Sequence, residues 1–378
     1  MAPPIPDIRL PPDLLPSDGR FGSGPSKVRQ ASVDALAAAA PAYLGTSHRA
    51  TTVRSMVGRL RSGLSDLFAL PDGYEVALGN GGAALFWDMA TFGLIERRSQ
   101  HLTFGQFSAS FAAAAAAAPH LDDPDVITSA PGTHPLPRPD PDIDAYALTH
   151  NETSTGVAMP VRRPAGDGLV LVDATSAAGG MRVDPTQFDA YYFAPQKCFA
   201  ADGGLWLALL SPAAVERVER VKAAGRWMPA ALDLGLALEN SRLDQTYNTP
   251  GLATIFLMVD QVEWMLAGGG LAWAASRSEA SAAVLYPWAE VSDYATPFVA
   301  DPGQRSPVVG TVDLDDSVDA NVVAAVLRAN GIVDTESYRR LGRNQLRIAM
   351  YPAVEASDVA VLTRAVDHVV GELLTQPS

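Results

Sequence analysis

Lys197 and Asp173 sit where a charge is least expected. LVLV precedes Asp173, and the apolar run FDAYYFA precedes the Pro-Gln-Lys ending in Lys197. A carboxylate at the mouth of a buried strand is costly unless paired. It either N-caps the turn ATSAAGG or holds a protonated ring nitrogen. An amine hemmed between YYFAPQ and CFAADGGLWLALL is desolvated. Desolvation favours its neutral form, with which carbonyl compounds form a Schiff base. A solvated loop lysine is the ordinary alternative. Only three of the 28 basic residues are lysines (Lys27, Lys197, Lys222), which draws attention to one kept in such a setting.

Three other stretches follow expected strands. GNGGAA (Gly79–Ala84) is either a phosphate cradle at a helix N-terminus or a plain strand-to-helix turn. Its Gly79, Gly81 and Ala84 also fit a dinucleotide fingerprint. That rival needs an acidic residue ending the next strand, and HLTFGQF supplies none. Phe107, just after HLTF, is either core or a stacking face for a planar ring. YNTP (Tyr247–Pro250) is a polar turn that says nothing alone.

The elements that would position these residues alternate between strand and helix. Helices are expected over Ser26–Leu44 and Thr52–Phe68, the latter from apolar residues at helical spacing. Strands are expected at Tyr74–Leu78, HLTF, Leu169–Asp173, Phe188–Ala194 and GLWLALLS, with helices at LFWDMATFGL, Phe107–Ala118 and PAAVERVERVKAAG. Several strands are apolar throughout, as in a mostly parallel sheet covered on both faces. In such a sheet ligands sit beyond the strands' C-terminal ends. From about Leu271 a long helix leads into VVGTVDL, DANVVAAVLRANG, LRIAMY and a last helix, a small α+β unit.

The formal charge of 28 − 42 = −14 argues against nucleic acid or an anionic membrane surface as partner. Cys198 is the single cysteine, and the six histidines lack ligand spacing, so neither a disulfide nor a metal site is expected. GLATIFLMVDQVEWMLAGGG, the most apolar stretch, is broken by Asp260 and Glu263. Without a signal-like N-terminus either, a cytoplasmic protein is expected.

A phosphate cradle, an aromatic face, a ring-nitrogen carboxylate and an amine nucleophile together are what pyridoxal 5′-phosphate needs. The chain resembles the fold-type I pyridoxal-phosphate enzymes of the class V aminotransferase group. It is most similar to the phosphoserine aminotransferase family, in its actinobacterial branch. The likeness rests on FGSGPS, TSHR (Thr46–Arg49), HNETSTG, Asp173 with FAPQK, YNTP and RIAMYPAVE.

The resemblance implies an arm over residues 1–20 packing on a small domain, a large cofactor domain over 21–268 with a seven-stranded sheet, and a small domain over 269–378. It implies Lys197 as the Schiff-base lysine and Asp173 as the pyridinium partner. Gly82, Ala83 and Gln196 would bind the cofactor phosphate, Phe107 would cover the ring, and Thr153 or Thr155 would touch its hydroxyl side. Asn248 and Thr249 would reach the phosphate of a neighbouring subunit, which requires a homodimer. Ser23, His48, Arg49 and Arg347 would bind substrate. Many relatives carry arginine where this chain has Ala83, so the substrate phosphate falls to His48 or to the cluster Arg339, Arg340 and Arg343. The implied reaction joins glutamate and 3-phosphohydroxypyruvate, and some relatives also serve pyridoxine synthesis. An alanine–glyoxylate aminotransferase and, from another class, a nicotinamide-binding oxidoreductase remain the alternatives.

Overall fold

The computed structural model describes residues 5–375; the first four residues of the expected arm lie outside them. Seven strands form the main sheet: β1 (Glu75–Asn80), β2 (Ser99–Thr103), β3 (Asp125–Thr128), β4 (Ala145–Thr149), β7 (Leu169–Asp173), β8 (Ala190–Phe193) and β9 (Leu205–Leu210). Between β4 and β7 lies a two-stranded hairpin, β5 (Asn151–Glu152) and β6 (Val157–Ala158). The order across the sheet is β1-β9-β8-β7-β4-β2-β3, and only β9 runs against the rest.

Alternation along each strand divides the core. Val172, Tyr191, Phe193 and Leu207 face one side, where they pack with α2 (Thr51–Leu67) and α7 (Leu252–Gly268). Leu171, Ala190, Tyr192 and Ala208 face the other, with α3 (Ala83–Gly93), α5 (Pro212–Ala223) and α6 (Leu234–Arg242). Both faces are covered, so these strands read as unbroken apolar runs. Helix α4 (Gln106–Ala117) follows β2, and α1 (Gln30–Tyr43) precedes α2.

A second core forms around β10 (Ala295–Pro297), β11 (Val309–Leu314) and β12 (Gln345–Ala349), with α9 (Ala320–Ala329) and α10 (Ala356–Thr375). Ile8, Leu10 and Phe21 are buried in it. Helix α8 (Gly270–Val291) serves both cores: Ala274 packs in the first, and Leu285, Tyr286 and Ala289 in the second.

Several element ends differ from the sequence expectation. The first helix starts at Gln30 instead of Ser26. Strand β1 runs to Asn80 instead of Leu78, because Gly79 and Asn80 pair with Trp206 and Leu205 of β9. Among the described residues no single helix is long and apolar enough to cross a membrane. The apolar stretch flagged in the sequence is α7, eight of whose residues are buried against the sheet and its helices.

The hairpin is tied to the second core. Thr311 of β11 donates to the carbonyl of Thr155 at 2.9 Å, and Ser306 N–H donates to that of Gly156 at 3.0 Å. Gly156 has φ +69° and a side chain there would strike Thr311, so the close approach requires glycine.

Candidate active site

The C-terminal ends of β1, β2, β4, β7 and β8 open onto one cavity of about 290 Å³. Lys197, Asp173, Thr153, Gln196, Gly82, Ala83 and Phe107 all line it, so residues from five separate segments meet there.

Lys197 is buried, its side chain under the main sheet's strand ends. Its Nζ donates to Thr153 Oγ1 at 3.1 Å and lies 5.5 Å from the centre of the Phe107 ring. Burial, then the Arg347 guanidinium, pushes the amine down to about 8. That places a nucleophilic fraction within reach of neutral pH. Gly24, at φ +141°, passes so close that a side chain there would lie 3.1 Å from Lys197 Cε.

Asp173 ends β7 and is buried. Burial raises its pKa, opposed by hydrogen bonds and by Lys197. Thr175 donates to Oδ1 through N–H (2.9 Å) and Oγ1 (2.6 Å). The indole of Trp87 donates to Oδ2 at 3.0 Å. The N-cap role and the ring-partner role are therefore compatible, since one Oδ2 lone pair is left for a ligand.

Helix α3 begins at Ala83, directly after the glycine turn, and its first N–H groups have no carbonyl one turn back. A Cβ on Gly82 would meet no protein atom within 4 Å, so the space before this helix end is open. Gln196 lines the cavity with a side-chain amide whose Oε1 is buried without a partner, and its NH2 is the donor a phosphate could take. The nicotinamide rival fares no better here than in the sequence, for β2 ends in Thr103 and supplies no acid for a ribose. A pyridoxal phosphate fits these features: an open helix end and free amide for its phosphate, an aromatic wall, an acid and a buried amine.

Thr153 lines the cavity, whereas Thr155 turns away, its Oγ1 3.5 Å from the Phe104 carbonyl. A more open cleft of about 810 Å³ adjoins the cavity at Gly24 and carries Ser23, Arg339, Arg340 and Arg347. Ser23 Oγ and Arg347 Nε are buried and unpartnered, while Arg347 Nη1 donates to the Thr153 carbonyl at 3.3 Å. Arg343 is drawn off elsewhere, to the Asp313 carboxylate and the Phe298 ring. His48, Arg49, Asn248 and Thr249 do not line the cavity within this chain. Thr249 Oγ1 lies 3.1 Å from His48 Nδ1 and the Thr249 carbonyl accepts from Asn80, while Arg49 and Asn248 are exposed.

Sequence reasoning missed Trp87, Thr175, Gly24 and Glu152. Glu152 is buried and takes five donors, from Phe107 N, Ser108 N and Oγ, and Ser154 N and Oγ. It stands at the positive end of α4 and fixes the turn that carries Phe107. Glu152→Gln puts an amide where donors converge. A loss of about 1–3 kcal/mol of unfolding free energy is expected, read as a lowered urea midpoint. An unchanged midpoint would refute this role.

The family model for aminotransferase class V matches residues 139–361. A phosphoserine aminotransferase of Nocardioides sp. is 61% identical over 97% of this chain and 99% of its own length. The crystal structure of a phosphoserine aminotransferase from Cytophaga hutchinsonii superposes with TM-score 0.85 at 26% identity, covering 94% of this chain and all of that one. An alanine–glyoxylate aminotransferase from Nostoc sp. superposes with TM-score 0.78 at 20% identity over 96% of this chain and 98% of its own, a likeness of fold alone. From its buried lysine to its near full-length match with a relative, the chain belongs to the class V aminotransferases, in the phosphoserine aminotransferase family.

Proposed function

We propose that this chain uses pyridoxal phosphate to move the amino group of L-glutamate to 3-phosphohydroxypyruvate, giving 2-oxoglutarate and O-phospho-L-serine. The observation that carries the reading is a buried amine, lowered to about 8, in a cavity shared with Asp173 and an open helix end. When bound, the cofactor supplies an electrophilic aldehyde and a ring that accepts the electron pair released as the α-C–H bond breaks.

The protein supplies the rest. Lys197 Nζ would hold the aldehyde as the covalent handle and, once free, would serve as the base and acid that carries the substrate's α-proton. Asp173 Oδ2 would hold the ring nitrogen in its protonated form. Phe107 forms an aromatic wall of the cavity, and the α3 N-terminus with Gln196 binds the phosphate. Arg347 pairs with the substrate's α-carboxylate through a planar fork. Arg339 and Arg340, exposed in the adjoining cleft and in no ion pair among the described residues, take the substrate phosphate in place of an arginine at Ala83.

The working form is a homodimer in the cytoplasm. Supporting the dimer, Asn248 and Thr249 are exposed and outside their own chain's cavity. We assign residues 21–268 mainly to the cofactor unit and 269–378 to the small unit, with residues 5–20 as an arm on the latter.

The test is the visible spectrum with and without glutamate, followed by paired assays. Turnover of glutamate with phosphohydroxypyruvate supports the reading; preference for alanine with glyoxylate overturns it. Arg347→Lys is expected to raise KM for both substrates about 10–100-fold, since it loses a charge-assisted bidentate pair. Arg339→Ala with Arg340→Ala should raise KM for the phosphorylated keto acid alone. Equal effects on glutamate would dismiss the assignment.

A further inference from the structure

Helix α3 does two things at once. Its first residue, Ala83, lines the cavity at the cradle, and Trp87 lies four residues on, on the same face. From there the indole N–H reaches Asp173 Oδ2 at 3.0 Å. Trp87 stacks on Phe111 of α4, with ring centres 6.4 Å apart and planes 16° from parallel. It also lines the cavity. The Tyr192 hydroxyl, close enough to Asp173 and Trp87 to feel both, is buried and makes no hydrogen bond, so Trp87 is the side-chain donor that holds Oδ2.

We propose that Trp87 is a positioning residue for the cofactor: its indole N–H fixes Asp173 Oδ2 so that one remaining lone pair points at the pyridine nitrogen. An indole only donates, so it cannot compete for the ring proton. Thr175 saturates Oδ1 in the same way. The carboxylate is left with a single open direction, set by the helix that also holds the phosphate. The distance from phosphate to ring nitrogen is thus gauged by one rigid element. This inference rests on the pyridoxal phosphate reading.

The test is a double-mutant cycle on cofactor affinity, using apoenzyme titrated with pyridoxal phosphate and followed by absorbance. Trp87→Phe keeps an aromatic ring against Phe111 and removes the donor, and any cost of the smaller ring is shared by both backgrounds of the cycle. The expected result is an approximately 10–150-fold rise in Kd, the worth of one hydrogen bond to a charged group. In the D173N background the same change should move Kd less than twofold, because Trp87 acts through the carboxylate. An equal penalty in both backgrounds, or none in the parent, overturns the proposal. Thermal melts of the four apoproteins separate loss of fold from loss of positioning. Failure of the parent to bind pyridoxal phosphate would instead overturn the cofactor reading.

Discussion

Lys197→Met is expected to abolish transamination and, at pH 7, to make the cofactor-free protein more stable than its parent. The amine is the covalent handle and the proton carrier, so turnover should fall by about 10⁴-fold or more. The stability gain follows from the pKa. Burial lowers the folded-state value from 10.5 to about 8, while the unfolded chain keeps an ordinary lysine. Between those values the unfolded state binds more protons than the native state. The parent therefore gains stability as pH rises through that window, and it carries the full cost of a buried cation below it. Methionine fills the same space without charge and removes a penalty of roughly 1–3 kcal/mol at pH 7. Melts of both apoproteins at pH 7 and pH 10 check this. The advantage should shrink at pH 10, and an advantage that grows with pH would show the sign to be wrong.

Asp173→Asn should cut kcat by about 10³-fold, the scale for a preorganised charge in a desolvated site. The physical reason is a conflict of donors. Thr175 donates twice to one oxygen and Trp87 to the other, and a protonated ring nitrogen is a further donor. An amide keeps one acceptor and turns its NH2 toward Trp87 or the ring. The ring then loses its proton and its capacity to hold the electron pair. KM for glutamate should move only a few-fold, since Arg347 and the adjoining cleft are untouched. A kcat within tenfold of the parent would show that the carboxylate is a turn cap alone.

How much of this was legible in the residues differs from part to part. The strands carrying Asp173 and leading to Lys197 are buried on both faces, so their apolar runs announced them, and β7 pairs in parallel with β8. Helix α6 was not foreseen, and of α7 only a start near YNTP was read. Burial in α7 wraps much of the helix, from Thr254 to Met265, and leaves no stripe to read. The arginines of YRRLGR look alike in sequence; only the fold gives Arg343 to Asp313 and leaves its neighbours in the cleft. Trp87 and Glu152 were hidden for a related reason. Their partners lie 86 and up to 45 residues away, and no local spacing encodes such contacts.

The short hairpin wedged between the two cores has a consequence for how the molecule tolerates change. The threonine that touches the reactive amine hangs by its carbonyl from Arg347, and the loop just beyond it is bolted to Thr311. Slack introduced anywhere along that seam would be felt at the amine. The C-terminal lobe therefore cannot drift or be grafted from a cousin as an interchangeable part, because the tautness of the chemical centre is strung between both halves.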